Sequence, residues 1–264
     1  MLRTRVIPVL LLRGESLVKT VRFDRYTYVG DPCNTVRIFN ELEVDELCFL
    51  DITATREGRE PNLALLADIA DECFMPLSYG GGVRSFAQAE AVFKIGFEKV
   101  IVNTAFAECP GLLAGIARHF GSQAAVVSID VSRDLLGRPR VRTRAGRHAL
   151  PQDPVAWARE AEEQGAGEIL LTAIDREGTW SGFDLELLAE VSRAVSVPVI
   201  AHGGAGRLSH LGEAVRAGAS AIALGSMVVF QKQGMGVLVN FPSAEELECQ
   251  LGAILHSAQA RASV

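Results

Sequence analysis

Two glycine clusters recur along the sequence, and their composition suits the binding of phosphate groups. Gly80-Gly81-Gly82-Val83-Arg84 matches Gly203-Gly204-Ala205-Gly206-Arg207 at an offset of 123 residues, from position 80 to position 203. Each cluster is followed one apolar run later by a small polar pair, Asn103-Thr104 in the first case and Gly225-Ser226 in the second. Asn103 and Ser226 are related by the same offset of 123 residues.

The chemistry of these clusters follows from the backbone. Glycine lets a chain approach a ligand closely, and the N-terminus of a following helix directs N–H groups and partial positive charge at an anion. The alternative is that the glycines only permit tight turns, but their recurrence at one offset favours phosphate binding. We therefore predict a phosphorylated small-molecule ligand with a phosphate at each end. The first site comprises Gly81, Gly82, Asn103 and Thr104, and the second comprises Gly178, Gly203, Gly204, Gly225 and Ser226.

The elements that position these residues alternate between short apolar runs and amphipathic stretches, a pattern typical of parallel sheets with helical crossovers. Eight strands are predicted, at Val6–Leu11, Glu46–Asp51, Met75–Tyr79, Lys99–Val102, Ala124–Asp130, Glu168–Thr172, Val197–Ala201 and Ala219–Leu224. Eight such units in 264 residues predict one (β/α)₈ TIM barrel spanning residues 1–264 as a single domain. The glycine repeat indicates that the barrel consists of two duplicated (β/α)₄ half-barrels.

Two long connections are predicted at the C-terminal face, where barrel enzymes have their active sites. They run from about Leu12 to Asp31 and from about Ser132 to Leu150. The second is rich in arginine and forms either an anion-attracting face or a solvated hairpin. Capping boxes are predicted where Ser85 precedes Gln88 and where Ser243 precedes Glu246.

Composition excludes several classes of function. The formal net charge of −6 argues against a general nucleic-acid binder. The five cysteines are odd in number and form no CxxC motif, so neither a disulfide scaffold nor a zinc site is expected. No apolar run approaches the roughly 18 residues of a membrane span. We therefore expect a cytoplasmic protein without metal or cofactor.

Taken together, these motifs resemble the HisF family, the cyclase subunit of imidazole glycerol phosphate synthase. The resemblance is carried by Arg5-Val6-Ile7-Pro8, Gly30-Asp31-Pro32, Phe49-Leu50-Asp51-Ile52-Thr53-Ala54, Phe120-Gly121-Ser122-Gln123 and Asp175-Arg176-Glu177-Gly178-Thr179, besides the glycine clusters. It implies that a HisH-like glutaminase docks at the N-terminal face. Ammonia then crosses the barrel and attacks a bisphosphorylated substrate at the opposite face.

The resemblance also implies a charged gate at the N-terminal ends of strands 1, 2, 4 and 6. The matching residues are Arg5, Glu46, Lys99 and Glu168. Paired charges at a strand start can close a barrel bottom while each ion stays hydrogen-bonded. The alternative is that these charges only stabilise the fold, as charges at that face commonly do.

The family's cyclase reaction uses two facing carboxylates, one at the end of strand 1 and one at the end of strand 5. Asp130 ends strand 5, but Leu11 stands at the matching position of strand 1, and the half-barrel repeat relates the same two positions. Leucine cannot transfer a proton, and each general acid or base typically contributes about 10²–10⁴-fold. We therefore expect cyclase activity to be weak or lost. Lys19 is retained as a catalytic or phosphate-binding candidate.

The sequence is most similar to a HisF-like subgroup linked to acetamidino modification of surface-polysaccharide sugars. Segments Glu57-Gly58-Arg59-Glu60-Pro61-Asn62, Cys73-Phe74-Met75-Pro76-Leu77 and Leu238-Val239-Asn240-Phe241-Pro242 carry this similarity. It implies that barrel and glutaminase supply ammonia to a separate sugar amidotransferase. Three alternatives remain open, namely a working cyclase with a substitute acid, another phosphate-dependent isomerase, and a non-catalytic scaffold that activates a glutaminase.

Four further polar residues are candidates for the site. Asp51 and Asp175 close strands 2 and 6 and either contact the ligand or hold nearby loops. Glu177 stands where the family usually has aspartate. His202 ends strand 7 and is either a proton donor, a phosphate contact or a structural residue.

Overall fold

The computed structural model describes residues 4–252, and its central feature is a closed barrel of eight parallel strands. We number these barrel strands β1 to β8. They are β1 (Arg5–Arg13), β2 (Leu47–Asp51), β3 (Leu77–Gly80), β4 (Lys99–Val102), β5 (Ala125–Arg133), β6 (Glu168–Ala173), β7 (Val199–His202) and β8 (Ala221–Leu224). The predicted fold class is confirmed.

The barrel closes because β1 pairs on both of its edges. Val9 of β1 lies opposite Cys48 of β2, and Ile7 lies opposite Ala223 of β8. Every other barrel strand pairs in parallel with the next along the chain. All C-terminal strand ends therefore meet at one face.

Helices of nine or ten residues cover the outside of the barrel. They are Pro32–Glu41, Leu63–Glu72, Phe86–Ile95, Leu112–Phe120, Pro154–Glu163, Leu185–Ala194 and Leu208–Arg216, and a further helix covers 244–252. Shorter helical segments are Ala54–Glu57, Thr104–Glu108 and Ser226–Val229, with a 3₁₀ turn at Ser122–Ala124. Both predicted capping boxes are confirmed, because Ser85 and Ser243 exchange hydrogen bonds with Gln88 and Glu246.

The two long connections are structured hairpins, which corrects the expectation of a long loop after β1 and agrees with the hairpin alternative for the arginine-rich segment. β1 continues to Arg13, and the strands Ser16–Thr20 and Tyr26–Gly30 fold back on it as a hairpin. β5 likewise continues past Asp130 to Arg133 and pairs with Pro139–Thr143, which pairs with His148–Ala149. The arginine-rich segment is thus a hairpin, and both hairpins stand at the C-terminal face.

The apolar core has two parts. A larger cluster fills the space between the strands and the helices. A smaller one fills the barrel interior and includes Ile7, Val9, Leu11, Leu170 and Ile200. These residues alternate with outward-facing neighbours because side chains on a strand point to opposite faces in turn.

Two further features bear on function. The five cysteines form no disulfide. Among the helices of residues 4–252, none combines the length and apolar character that crossing a membrane requires.

Candidate active site and charged gate

Four charged side chains close the N-terminal face of the barrel. Arg5, Lys99 and Glu168 are the first residues of β1, β4 and β6, and Glu46 directly precedes β2. Arg5 donates to Glu46 Oε2 at 2.6 Å and to Glu168 Oε1 at 2.5 Å. Lys99 Nζ donates to Glu46 Oε2 and to Glu168 Oε2, both at 2.9 Å. The four predicted gate residues thus form one closed ring of ion pairs.

The ring balances two positive and two negative charges. Burial alone would lower the pKa of the Arg5 guanidinium, but the carboxylates of Glu168 and Glu46 raise it above its ordinary value. Glu46 and Glu168 are buried. Each carboxylate therefore depends on both cations to offset its lost hydration.

A narrow apolar space lies directly above this ring. It has a volume of about 10 Å³, close to the minimum that holds one water molecule. Its walls include Val9, Ile101, Val126, Leu170 and Ile200, and the gate residues Glu46, Lys99 and Glu168 form its floor. The space thus fits a small neutral molecule and disfavours an ion, which would lose its hydration there.

A larger pocket of about 130 Å³, called the upper pocket below, opens at the C-terminal face. The first predicted phosphate cluster lines it, since Gly81, Gly82, Asn103 and Thr104 all border this pocket. A Cβ on Gly81 would lie 2.5 Å from the carbonyl oxygen of Asp51. The backbone conformation at Gly81 therefore requires glycine.

Asn103 and Thr104 also hold the second hairpin. Asn103 Nδ2 donates to the carbonyl oxygens of Ser128 and Arg142, and the Thr104 hydroxyl accepts from the backbone N–H of Arg144. Sequence reasoning did not identify this role, because it depends on the fold of a segment expected to be a loop.

Only part of the second predicted phosphate cluster lies at a cavity. Gly178 and Ser226 border an open groove of about 790 Å³. Gly203 and Gly204 are buried beside it, and a Cβ on Gly203 would lie 2.7 Å from the Ala173 carbonyl oxygen. These two glycines therefore allow the segment after β7 to pack against the segment after β6, and phosphate contact at this cluster stays a prediction.

The register of the strands shows how Leu11 and Asp130 are related. Leu11 of β1 lies opposite Leu50 of β2, and Asp130 of β5 lies opposite Thr172 of β6. The two pairs occupy equivalent positions in the two half-barrels, and all four side chains line the upper pocket. One half thus presents two leucines where the other presents a carboxyl and a hydroxyl.

Asp130 has an environment suited to proton transfer. Burial raises the pKa of its carboxyl to about 6, although hydrogen bonds from Ser128 and Thr172 act in the opposite direction. Ser128 Oγ donates to Asp130 Oδ1 at 3.0 Å, and Asn103 Nδ2 lies 3.4 Å from Oδ2. A group that titrates near neutrality can serve as either acid or base.

Lys19 lies on the first hairpin and is buried together with Glu177. Its Nζ is 3.2 Å from Glu177 Oε1, an ion pair that lacks the geometry of a hydrogen bond. Glu177 Oε2 accepts from the Thr20 hydroxyl and from the backbone N–H of Phe23. Glu177 thus links the segment after β6 to the first hairpin, which comprises the strands Ser16–Thr20 and Tyr26–Gly30. Phe23 of this hairpin borders the upper pocket.

His202 ends β7 and is buried at the upper pocket. Its Nδ1 lies 3.1 Å from the Thr172 hydroxyl. Burial and the positive charge of Lys19 lower the pKa of the imidazole to about 3. Thr172, which sequence reasoning missed, therefore contacts His202 and lies beside Asp130. Asp130 and Thr172 are the last residues of two consecutive predicted strands, and this shared position was the signal in the sequence that could have found Thr172.

The two remaining candidates hold loops. Asp51 is buried, and its Oδ1 accepts from the backbone N–H groups of Thr53 and Ala54. Asp175 is exposed and lies beyond the end of β6, where it accepts from the backbone N–H of Arg133. The two are thus not symmetric strand ends as expected, because β6 ends at Ala173. Contact of either carboxylate with a ligand stays a prediction.

Residues 5–233 match the model of the family described as "Histidine biosynthesis protein". The chain is 47% identical over 249 residues to a Pseudomonas aeruginosa protein named "Putative imidazole glycerol phosphate synthase subunit hisF2", covering 94% of this chain and 99% of the relative. It is 42% identical over 241 residues to "Imidazole glycerol phosphate synthase subunit HisF" of Mycobacterium tuberculosis, covering 89% and 90% of the two chains. The similarity to HisF subunits therefore extends over nearly the whole barrel.

Proposed function

Because the chain belongs to the histidine biosynthesis protein family, we propose that it is a HisF-like barrel that receives ammonia from a glutaminase subunit and passes it through its interior. The relatives' names describe them as synthase subunits. The partner docks at the N-terminal face, where the ring of Arg5, Glu46, Lys99 and Glu168 separates it from the interior.

The observation that carries this proposal is the contrast between the two ends of the barrel. The ion-pair ring at the N-terminal face is complete, whereas Leu11 replaces one of the two facing carboxylates at the C-terminal face. The part that admits ammonia is retained and the part that performs cyclisation is incomplete. The cyclase reaction is therefore weak or lost.

The ammonia serves amidine formation on a surface-polysaccharide sugar, carried out by a separate amidotransferase. This step rests on the sequence similarity to the acetamidino subgroup. The cavity geometry agrees with delivery, because the apolar space above the gate leads toward the pocket that opens at the other face.

A second candidate is a working cyclase, and Asp130 is the observation that favours it. Its carboxyl pKa of about 6 suits acid–base catalysis near neutral pH. Asp130 would then work with a substitute for the carboxylate that β1 lacks. Turnover of the histidine-pathway nucleotide with ammonia would support this candidate against the first.

The test of the proposed function is a coupled assay with a HisH-like glutaminase subunit. We expect the purified chain to form a complex with it and to stimulate glutamine hydrolysis. Lys99→Met should leave the complex intact and change the distribution of ammonia between the barrel interior and solvent. A chain that neither binds nor stimulates the glutaminase would contradict the proposal, and a distribution of ammonia that Lys99→Met leaves unchanged would favour a scaffold.

A further inference from the structure

Three polar side chains at the top of the barrel interior lie side by side on neighbouring strands. Thr172 on β6 pairs in register with Asp130 on β5 and with His202 on β7. The opposite wall of the same pocket presents Leu11 and Leu50. The three polar residues therefore form a continuous row across three neighbouring strands.

The row favours the tautomer of His202 that carries its proton on Nδ1. An ionised carboxylate only accepts, so the Thr172 hydroxyl donates its proton to Asp130. The Thr172 oxygen then accepts from His202 Nδ1, at 3.1 Å. Because a neutral imidazole carries a single proton, Nε2 retains a free lone pair. Burial and Lys19, which lower the His202 pKa to about 3, keep the ring neutral.

The free lone pair borders the exit of the apolar interior. Ile200 and His202 point to the same side of β7, and Ile200 lines the narrow space above the gate while His202 lines the upper pocket. A Cβ on Gly225 would lie 3.7 Å from His202 Nε2 and would overlap Lys19 Nζ. Glycine at this position therefore makes room for the end of the Lys19 side chain close to His202 Nε2.

We propose that His202 Nε2 is an ammonia-binding point, accepting an N–H hydrogen bond from ammonia as it leaves the apolar interior. This inference rests on the proposed ammonia path. Lys19 on the first hairpin is the charged group that acts on His202, and it is itself paired with Glu177. Asp130 lies two strands away from His202, on the far side of Thr172. The Lys19 ammonium close to His202 Nε2 repels a second cation, so the point selects ammonia over ammonium.

The test uses the full-length chain labelled with ¹⁵N-histidine and ammonium chloride as the probe, at constant ionic strength. Without ammonium, the His202 signals should report a protonated Nδ1 and an unprotonated Nε2. With ammonium, the Nε2 signal should shift. At fixed total ammonium the shift should grow about tenfold from about pH 7 to about pH 8, following the concentration of neutral ammonia. His202→Asn assigns the signal, and the exposed His148 is the internal control.

Matched variants test the orienting role of Thr172. Thr172→Val keeps the branched shape and removes the hydroxyl, so it should mix the two tautomers and reduce the ammonia-dependent shift in proportion to the Nε2-protonated fraction. Thr172→Ser should restore both signals. An Nε2-protonated ring in the unaltered chain would overturn the proposal, and so would a shift that follows total ammonium or no shift at all. Because the barrel is measured with added ammonia, the result does not depend on whether a glutaminase docks.

Discussion

Removal of one carboxylate from the gate tests whether its four residues form a closed ion-pair ring. Glu168→Gln keeps the size of the side chain and takes away one negative charge. Arg5 and Lys99 then share the carboxylate of Glu46, and the ring carries a net charge of +1. A cation that stays desolvated without its counter-ion destabilises the folded state.

The magnitude follows from burial and contacts. Glu168 is 8% exposed and accepts from Arg5 at 2.5 Å and from Lys99 at 2.9 Å. Loss of one partner from a buried ion pair costs about 3–5 kcal/mol. The Arg5 side chain is 31% exposed, so water screens part of this loss. We therefore expect the free energy of unfolding to fall by about 2–3 kcal/mol, equivalent to a Tm lower by roughly 4–12 °C.

The chain supplies a matched control in the ion pair between Arg37 and Glu72. Arg37 donates two hydrogen bonds to Glu72, but its side chain is 59% exposed. Glu72→Gln should therefore lower the free energy of unfolding much less than Glu168→Gln does. Lys99→Met combined with Glu168→Gln restores a neutral ring and should show a coupling energy of about 1–3 kcal/mol. Urea unfolding with unchanged m-values measures all of these variants.

Two results would refute this reasoning. One is an equal, small loss of stability for Glu168→Gln and Glu72→Gln, which would show that the ring is no stronger than a surface pair. The other is strict additivity of Lys99→Met and Glu168→Gln, which would show that the two residues do not interact.

Three further changes have definite expected outcomes. The folded-state pKa of Asp130, about 6, exceeds the unfolded value of about 3.9, so the folded chain binds the carboxyl proton more tightly than the unfolded chain does. The stability that Asp130 contributes is therefore complete below about pH 4 and is lost as the pH rises from about 4 to about 6. Asp130→Asn should remove this loss and stabilise the chain by about 2–3 kcal/mol at neutral pH but not at about pH 4, as urea unfolding across pH would measure; a pH-independent difference would contradict the assignment. Gly81→Ala should cost more than about 2 kcal/mol by the same method because its Cβ meets a backbone oxygen. It should also cost more than Gly96→Ala, since Gly96 has a φ of +118°, close to the +123° of Gly81, but its Cβ would meet no atom nearer than 4.0 Å; equal costs would rule out the clash. Ser85→Ala removes a capping-box hydroxyl and should lower the unfolding free energy by about 1 kcal/mol, and no change would show that the cap is dispensable.

Periodicity predicted the barrel well because apolar strands and amphipathic helices leave distinct patterns. The predicted β4 is identical to the observed one, and the other strands differ at their ends. The continuations of β1 and β5 into hairpins were missed. Their pairing joins residues such as Leu12 with Leu17 and Val131 with Val141. These pairs depend on contacts between strands, which no pattern within one segment reveals.

The comparisons confirm the family resemblance at the level of HisF-like subunits. The four residues predicted to form a gate meet at one face of the barrel, as their positions at strand starts indicated, and their role in admitting ammonia stays a prediction. Thr172 was missed because its role comes from neighbours on β5 and β7, which are far away in sequence. The asymmetry between buried Asp51 and exposed Asp175 was likewise invisible, since it depends on where each strand ends.

Cyclase turnover with ammonia tests the central claim most directly, namely that a barrel with an intact gate lacks one of the carboxylates for cyclisation. The purified chain, given excess ammonia and the histidine-pathway nucleotide, should show turnover about 10²-fold or more below that of an ordinary HisF subunit, the typical contribution of one acid–base group. Leu11→Asp should raise this turnover. Leu11→Asn is the control, because asparagine matches aspartate in size and polarity but cannot exchange a proton at neutral pH. Turnover by the unaltered chain equal to that of an ordinary HisF subunit would contradict the account.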